Sequence, residues 1–138
     1  MLEMRRTGDA CDEARQRILD TLTAHSDAAG HPFRPQTLSL EAWDGETYLG
    51  GIIARSVSDW TFIELLAVTE AARSRGIGRS LVEAVEEEAR RLGSLGLWLD
   101  TFSYQAPDFY RKLGFEEFGR ISDHPRGRDR VFLLKRFA

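Results

Sequence analysis

The stretch Arg73-Ser74-Arg75-Gly76-Ile77-Gly78-Arg79-Ser80 decides how this chain is read. It follows the largely apolar run Ile63-Glu64-Leu65-Leu66-Ala67-Val68 and leads into a strongly helical run from Leu81 to Leu92. A strand, a glycine-bearing basic loop and a helix in that order make a site for a phosphate group. Glycines let the backbone come close to an anion and take φ > 0. The free N–H groups of the helix's first turn point at the anion, and the helix dipole favours negative charge there.

Outward from this loop, the periodicity predicts a helix over 78–92. Leu81, Val82, Val85, Ala89 and Leu92 share one face, while Glu83, Glu86, Glu87 and Arg90 line the other, and Gly93 fits a C-terminal cap. Upstream, Thr37 to Trp43 alternates as a strand, and Asp44-Gly45 is a two-residue hairpin signal. Thr47 to Ser56 returns, its Gly50-Gly51 pair pointing to a bulge or a close backbone approach. Trp60 to Val68 is apolar enough to be central in a sheet. Downstream come a strand at Leu95–Thr101, a short helix at Ala106–Leu113, and strands at Phe115–Ile121 and Arg130–Phe137. At the N-terminus, 9–29 reads as a helix with Cys11, Ala14, Ile18 and Leu22 on its buried face.

The expected architecture is a single α+β domain over 1–138. It has a mixed, mostly antiparallel central sheet of about six to seven strands flanked by helices. The helical crossover between the third and fourth strands requires those two to run parallel.

With 138 residues, a formal charge of −3 and a pI near 5.6, the chain has the ordinary balance of one soluble domain. That acidity argues against a dedicated nucleic-acid binder. Cys11 is the sole cysteine, so an intrachain disulfide and a cysteine zinc cluster are excluded, and no metal is expected. No apolar run approaches the ~20 residues of a membrane span, and Met1 to Asp9 lacks the apolar core of a signal peptide. A cytoplasmic setting is the expectation.

Two phosphate motifs fail on spacing. A nucleotide P-loop needs a glycine where Arg73 stands and a lysine before the hydroxyl residue. A dinucleotide fingerprint needs its third glycine where Leu81 stands. The pattern that fits is [QR]-x-x-G-x-[GA], with Arg73, Gly76 and Gly78 in place, Leu66-Ala67-Val68 before it and an amphipathic helix after it. Further on, Ala106, Tyr110, Gly114 and Phe115 match N-x-x-A-x-x-x-Y-x-x-x-G-F, with Ser103 in place of the asparagine. In these motifs the chain resembles the GNAT family of N-acetyltransferases, over its whole length in element order and most specifically from Ile63 to Phe115.

The resemblance implies acetyl-CoA as co-substrate and an amine as acceptor. It implies that the loop amides from Arg73 through Ser74, Arg75, Gly76, Ile77, Gly78, Arg79 and Ser80 hold the CoA pyrophosphate. Arg73, Arg75 and Arg79 would surround this group or the 3′-phosphate, and Ser80 would add a hydroxyl. The pantetheine arm would run along Leu66, Ala67 and Val68, with a backbone N–H near Ala67-Val68 polarising the thioester carbonyl. Ser103 would replace the asparagine that meets the pantetheine. Tyr110 corresponds to the family's general acid, though a core-packing aromatic is the plainer role for it. A homodimer is likewise a family expectation.

Glu64 interrupts an apolar strand, where a carboxylate needs a reason. General base, ammonium-binding group and simple edge residue all remain open for it. Some members carry a glutamate base two residues earlier, where this chain has Phe62. The loop His124-Pro125-Arg126-Gly127-Arg128-Asp129-Arg130 is strongly charged, and a solvated hairpin tip is favoured over an acceptor-binding role. The expected function is transfer of acetyl from acetyl-CoA to a primary amine of a small molecule, peptide or protein, without membrane or nucleic-acid involvement. The alternative is a non-catalytic acyl-CoA sensor or scaffold on the same fold.

Overall fold

A computed structural model describes residues 1–8 and 11–138; Asp9 and Ala10, where the first helix was expected to begin, lie outside the described residues. The chain forms two compact units, Met1–Arg34 and Pro35–Ala138. The first unit holds helix α1 (Asp12–Ala28), with Asp12 and Glu13 in its first turn and His25 in its last, as its dipole favours. None of its residues is buried. The expected buried face is therefore corrected. Cys11 stands at the N-cap and is half-buried, while Ile18 and Leu22 are exposed. Ala14 is half-buried as expected, and from there the half-buried stripe continues through Leu19, Thr23 and Ser26 rather than Ile18 and Leu22.

The second unit is built on strands β1 (Gln36–Asp44), β2 (Thr47–Val57), β3 (Trp60–Val68), β4 (Gly96–Phe102), β5 (Glu116–Ser122) and β6 (Asp129–Arg136). Helices α2 (Ile77–Arg91) and α3 (Pro107–Lys112) and a 3-10 turn at Glu70–Ala72 connect them. The sheet has six strands in the order β1-β2-β3-β4-β6-β5. Among the described residues only β3 and β4 pair in parallel, as the α2 crossover demands. The last strand inserts between β4 and β5, leaving β5 on the edge.

Alternation sorts the strand residues to two faces. On β4, Leu97, Leu99 and Thr101 are buried, and Leu97 and Leu99 join Leu81, Val82, Val85 and Ala89 of α2 in one core cluster. Ile52, Ala54, Ile63, Val131 and Leu133 of neighbouring strands and Phe115 complete that cluster. Each large aliphatic side chain there contributes about 1.5–3 kcal/mol of burial. Trp98, Asp100 and Phe102 consequently project from the opposite face.

Two irregularities shape the centre. On β2, the register passes from Tyr48 to Gly50 against consecutive residues of β1, so Leu49 is an extra residue beside the expected Gly50-Gly51 site. Gly50 is required there, because a Cβ would lie 2.6 Å from the Ala67 carbonyl oxygen. On β3, Ile53 faces Leu65 and Ala54 faces Ile63, so Glu64 is the bulged residue.

Candidate active site

The parallel pairing of β3 with β4 consists of Thr61 with Leu97 and Phe62 with Trp98. Beyond this rung the strands part. The Phe62 and Trp98 rings, 4.3 Å apart, close the base of the fork. Past it opens a cavity of about 1040 Å³, walled by β3 from Ile63 to Val68, by β4 from Leu99 to Phe102, by the glycine loop and by α3. Among the described residues, the edge of β3 that faces β4 has no strand partner along this stretch. It is free to hydrogen-bond a chain laid in the fork.

At one end lies the opening motif. Ser74 (φ 69°) and Gly76 (φ 76°) are both left-handed, folding the backbone into a concave nest ahead of α2. Arg73 N–H donates to the Glu70 carbonyl, and the next backbone donor with a chain partner is Ser80, to the Gly76 carbonyl at 3.0 Å. Every N–H from Ser74 to Arg79 is thus without a hydrogen bond among the described residues. Consecutive free amides on a helix N-terminus suit a pyrophosphate. Gly78 lets the loop approach α3, since a Cβ there would lie 3.1 Å from Phe109 Cζ.

The three arginines of the motif differ. Arg73 lines the cavity and has no ion-pair partner among the described residues. Arg79 also lines it, but its Nε donates to Glu83 Oε1 at 2.8 Å along the helix. Arg75 turns to Asp44 of the β1–β2 hairpin at 3.4 Å and lies outside the cavity lining, as does the Ser80 side chain.

Tyr110 and Phe109 both line the cavity and both pack against the core, so α3 presents an aromatic pair to the fork. Their rings meet edge to face at 5.1 Å, and Tyr110 meets Phe115 at 5.7 Å. Burial among these rings pushes the Tyr110 hydroxyl from its ordinary 10.0 up to about 12. The phenol therefore stays protonated, as a proton donor must. Core packing and cavity lining coincide in this residue.

Glu64 is exposed on the bulge, lines the cavity, and has no hydrogen-bond or ion-pair partner among the described residues. Leu66 and Val68 line the same wall, with Ala67 between them.

Ser103 departs from its expected role. Its Oγ accepts the Asp129 N–H at 3.0 Å, its own N–H donates to the Asp129 carbonyl, and it does not line the cavity. Gln105, which sequence reasoning passed over, lines it instead. Its Oε1 accepts from Thr101 Oγ1 and from Phe102 N–H, both at 2.9 Å, which fixes the carboxamide and leaves its NH₂ without a partner among the described residues. A signal existed in the amide two residues past the vacant asparagine position.

The charged loop divides too. Arg130 belongs to β6 and pairs with Asp100 on β4, its Nη2 2.6 Å from Oδ1. His124 packs edge-on against Phe102 at 5.4 Å. Arg126 and Arg128 are exposed and outside the cavity lining, as expected of a solvated tip.

Among the described residues, no group of three or more His, Cys, Asp or Glu side chains is placed to hold a metal, and no helix is long and apolar enough to cross a membrane.

Known proteins share this fold. The model of the acetyltransferase (GNAT) family matches residues 6–115. The chain is 32% identical over 126 residues to Acetyltransferase Atu2258 of Agrobacterium fabrum, covering 91% of this chain and 92% of that protein. It is 33% identical over 87 residues to Blasticidin-S acetyltransferase of Streptomyces morookaense, covering 62% of this chain and 64% of that one. The crystal structure of an acetyltransferase from Bacillus cereus superposes with a TM-score of 0.83 at 27% identity, over 96% of this chain and 98% of the other.

Proposed function

Because the chain belongs to the GNAT family of acetyltransferases, with acetyl-CoA as its acyl donor, we propose that it acetylates a primary amine by direct attack within a ternary complex. The acceptor is a small molecule or a peptide, and the Blasticidin-S acetyltransferase relative favours the small molecule. One observation carries the proposal. Among the described residues, a single cavity joins a nest of free amides to an unpaired carboxylate and a partly buried phenol.

Acetyl-CoA supplies an activated acetyl carbon and a sulfur able to depart. The chain supplies the rest. The amides from Ser74 to Arg79, with Arg73 beside them, hold the pyrophosphate, and the unpaired edge of β3 from Leu66 to Val68 holds the arm and polarises the carbonyl. Glu64 draws in the acceptor's ammonium, whose pKa near ~10 keeps it charged in solution, and one proton passes to water at this carboxylate. The neutral amine then forms the C–N bond as the C–S bond breaks. Tyr110 gives its proton to the departing sulfur and recovers one from the amine nitrogen, so the products are an amide and the free thiol.

The test follows thiol release from acetyl-CoA with a panel of primary amines. Turnover with at least one amine is expected, and Tyr110→Phe should slow it by about 10²-fold. Tight acetyl-CoA binding without turnover of any amine, unchanged in Tyr110→Phe, would instead identify a sensor.

A further inference from the structure

The fork opens to both faces of the sheet, and the two faces differ in chemistry. Leu66 on β3 packs with the core on the α2 side, near the amide nest. Before the bulge, Thr61 and Ile63 are buried on that side, so Phe62 belongs to the opposite face, with Trp98, Asp100 and Phe102, and the bulged Glu64 next along β3 is exposed. The donor elements therefore gather on one face, and the other is left for the acceptor.

On the acceptor face, charge is almost fully cancelled. Asp100 is neutralised by Arg130, which lies over the Phe102 ring as well, 5.8 Å from its centroid. Arg79 is neutralised by Glu83 on the donor side. Among the described residues this leaves Arg73 as the cavity's unpaired cation, at the nest, and Glu64 as its unpaired anion, at the fork. An anionic acceptor has no unpaired cation to meet there, because Arg126 and Arg128 lie outside the lining.

The same cavity is lined by a flat aromatic shelf. Tyr104 stacks on Phe102 with ring centroids 5.5 Å apart and planes 3° from parallel. Phe102 is itself held by Arg130 and by the edge of His124. Tyr104 lines the cavity yet stays 54% exposed, and Leu65 on the facing wall is 61% exposed. Glu64 and Asp100 each lie two residues beyond the last paired rung, and Phe102 lies two further along β4, about 7 Å on from Asp100.

We propose that the acceptor is an arylalkylamine: a primary ammonium bound at Glu64, joined by a chain of a few carbons to an aromatic ring that stacks on Tyr104. A ring without the ammonium meets no charge, and an ammonium without the ring leaves the shelf in water.

This rests on the acetyltransferase activity proposed above, so the experiment separates the two. Thiol release is followed with 2-phenylethylamine, 4-phenylbutylamine, n-hexylamine and phenylalanine as acceptors, in the wild type and in Tyr104→Ala and Tyr104→Phe. The expected result is an arylalkylamine kcat/KM at least about 3–10-fold above that of hexylamine, the size of an aromatic stacking gain. Phenylalanine, with a carboxylate beside its amine, should be poorest. The aryl-to-alkyl ratio should fall toward one in Tyr104→Ala and survive in Tyr104→Phe; because it is a ratio within one variant, partial misfolding cancels. Equal use of aryl and alkyl amines, or a ratio indifferent to Tyr104→Ala, overturns the arylalkylamine assignment and leaves the transferase standing. Acetylation of none of these amines or of any other overturns both.

Discussion

Ser103 and Asp129 grip one another twice, the hydroxyl of Ser103 accepting the Asp129 N–H at 3.0 Å while the Ser103 N–H donates to the Asp129 carbonyl at 2.8 Å. This clamp ties the end of β4 to the start of β6, across which Asp100 and Arg130 also pair. The hydroxyl thus serves the scaffold. Ser103→Ala should lower stability by about 1 kcal/mol, the usual net value of such a bond. Its KM for acetyl-CoA should stay close to the wild-type value. Denaturant melts and steady-state kinetics on the same variant check both; a raised KM with unchanged stability would return the residue to the donor site.

Tyr110 makes stability depend on alkaline pH. Its folded pKa of about 12 lies above the ordinary 10.0, because burial disfavours the phenolate. Below pH 10 the folded and unfolded chains both keep the proton, so its contribution is fully present. Between 10 and 12 the unfolded chain releases the proton that the folded chain retains, and stability declines, by up to about 2–3 kcal/mol in total. The difference between wild-type and Tyr110→Phe denaturation midpoints should show this decline. In parallel, the difference between their tyrosinate absorbance titrations should centre near pH 12; a difference centred near 10 would mean that the ring is not held as described.

The loop arginines should separate in kinetics. Arg73 is without an ion-pair partner among the described residues, whereas Arg79 is held by Glu83 and Arg75 leans toward Asp44. Arg73→Ala should therefore raise KM for acetyl-CoA most, by roughly tenfold as for a charge-assisted contact. The other two alanine variants should each have smaller effects, and added salt should narrow the gap. Equal effects from all three would count against a directed contact by Arg73.

Glycines of the site should respond according to what surrounds them. Gly50 has no room, with the Ala67 carbonyl 2.6 Å from a Cβ, so Gly50→Ala must shift β2 against β3 and destabilise the sheet. Gly76 has open space but a φ of +76°, where an L side chain costs about 1–2 kcal/mol. Gly76→Ala should relax the nest and weaken acetyl-CoA binding with a modest loss of stability. Thermal melts with and without acetyl-CoA distinguish the two patterns, and the assignment fails if Gly50→Ala proves the milder change.

Local signals carried most of the fold. The Asp44-Gly45 hairpin, the amphipathic run of α2 and the spaced motifs around Gly76 and Tyr110 each occupy a short window, and every expected strand and helix from β1 onward formed within a residue of its expected bounds. What escaped was long-range. The insertion of β6 between β4 and β5 and the Asp100–Arg130 pair, thirty residues apart, depend on pairing that no local pattern encodes. The expected face of α1 holds for Cys11 and Ala14 but not beyond, where Leu19, Thr23 and Ser26 are half-buried and Ile18 and Leu22 are exposed. Glu64 stood out as a carboxylate in an apolar run. That it is the bulged residue follows only from its register with Ile53 and Ala54. The motif position of Ser103 points to a ligand contact, whereas its hydroxyl is fixed by a β6 amide that the motif does not include.

Glu64 is the residue on which the acceptor chemistry turns, and Glu64→Gln tests it with shape retained and charge removed. The bulge leaves its carboxylate exposed at the fork, with no hydrogen bond or ion pair among the described residues to compete for it. An ammonium bound there makes a charge-assisted contact, so the variant should lose about 10- to 100-fold in kcat/KM for the amine while KM for acetyl-CoA holds. How the loss divides reports the role. If the carboxylate only attracts the ammonium, amine KM rises and the rate still climbs with pH toward the amine's own pKa near ~10. If it also takes the proton, kcat falls, and the acidic limb of the kcat profile shifts toward higher pH, because the amine must then lose its proton unaided. Unchanged parameters for both substrates would remove Glu64 from the site and leave the acceptor face without its charge.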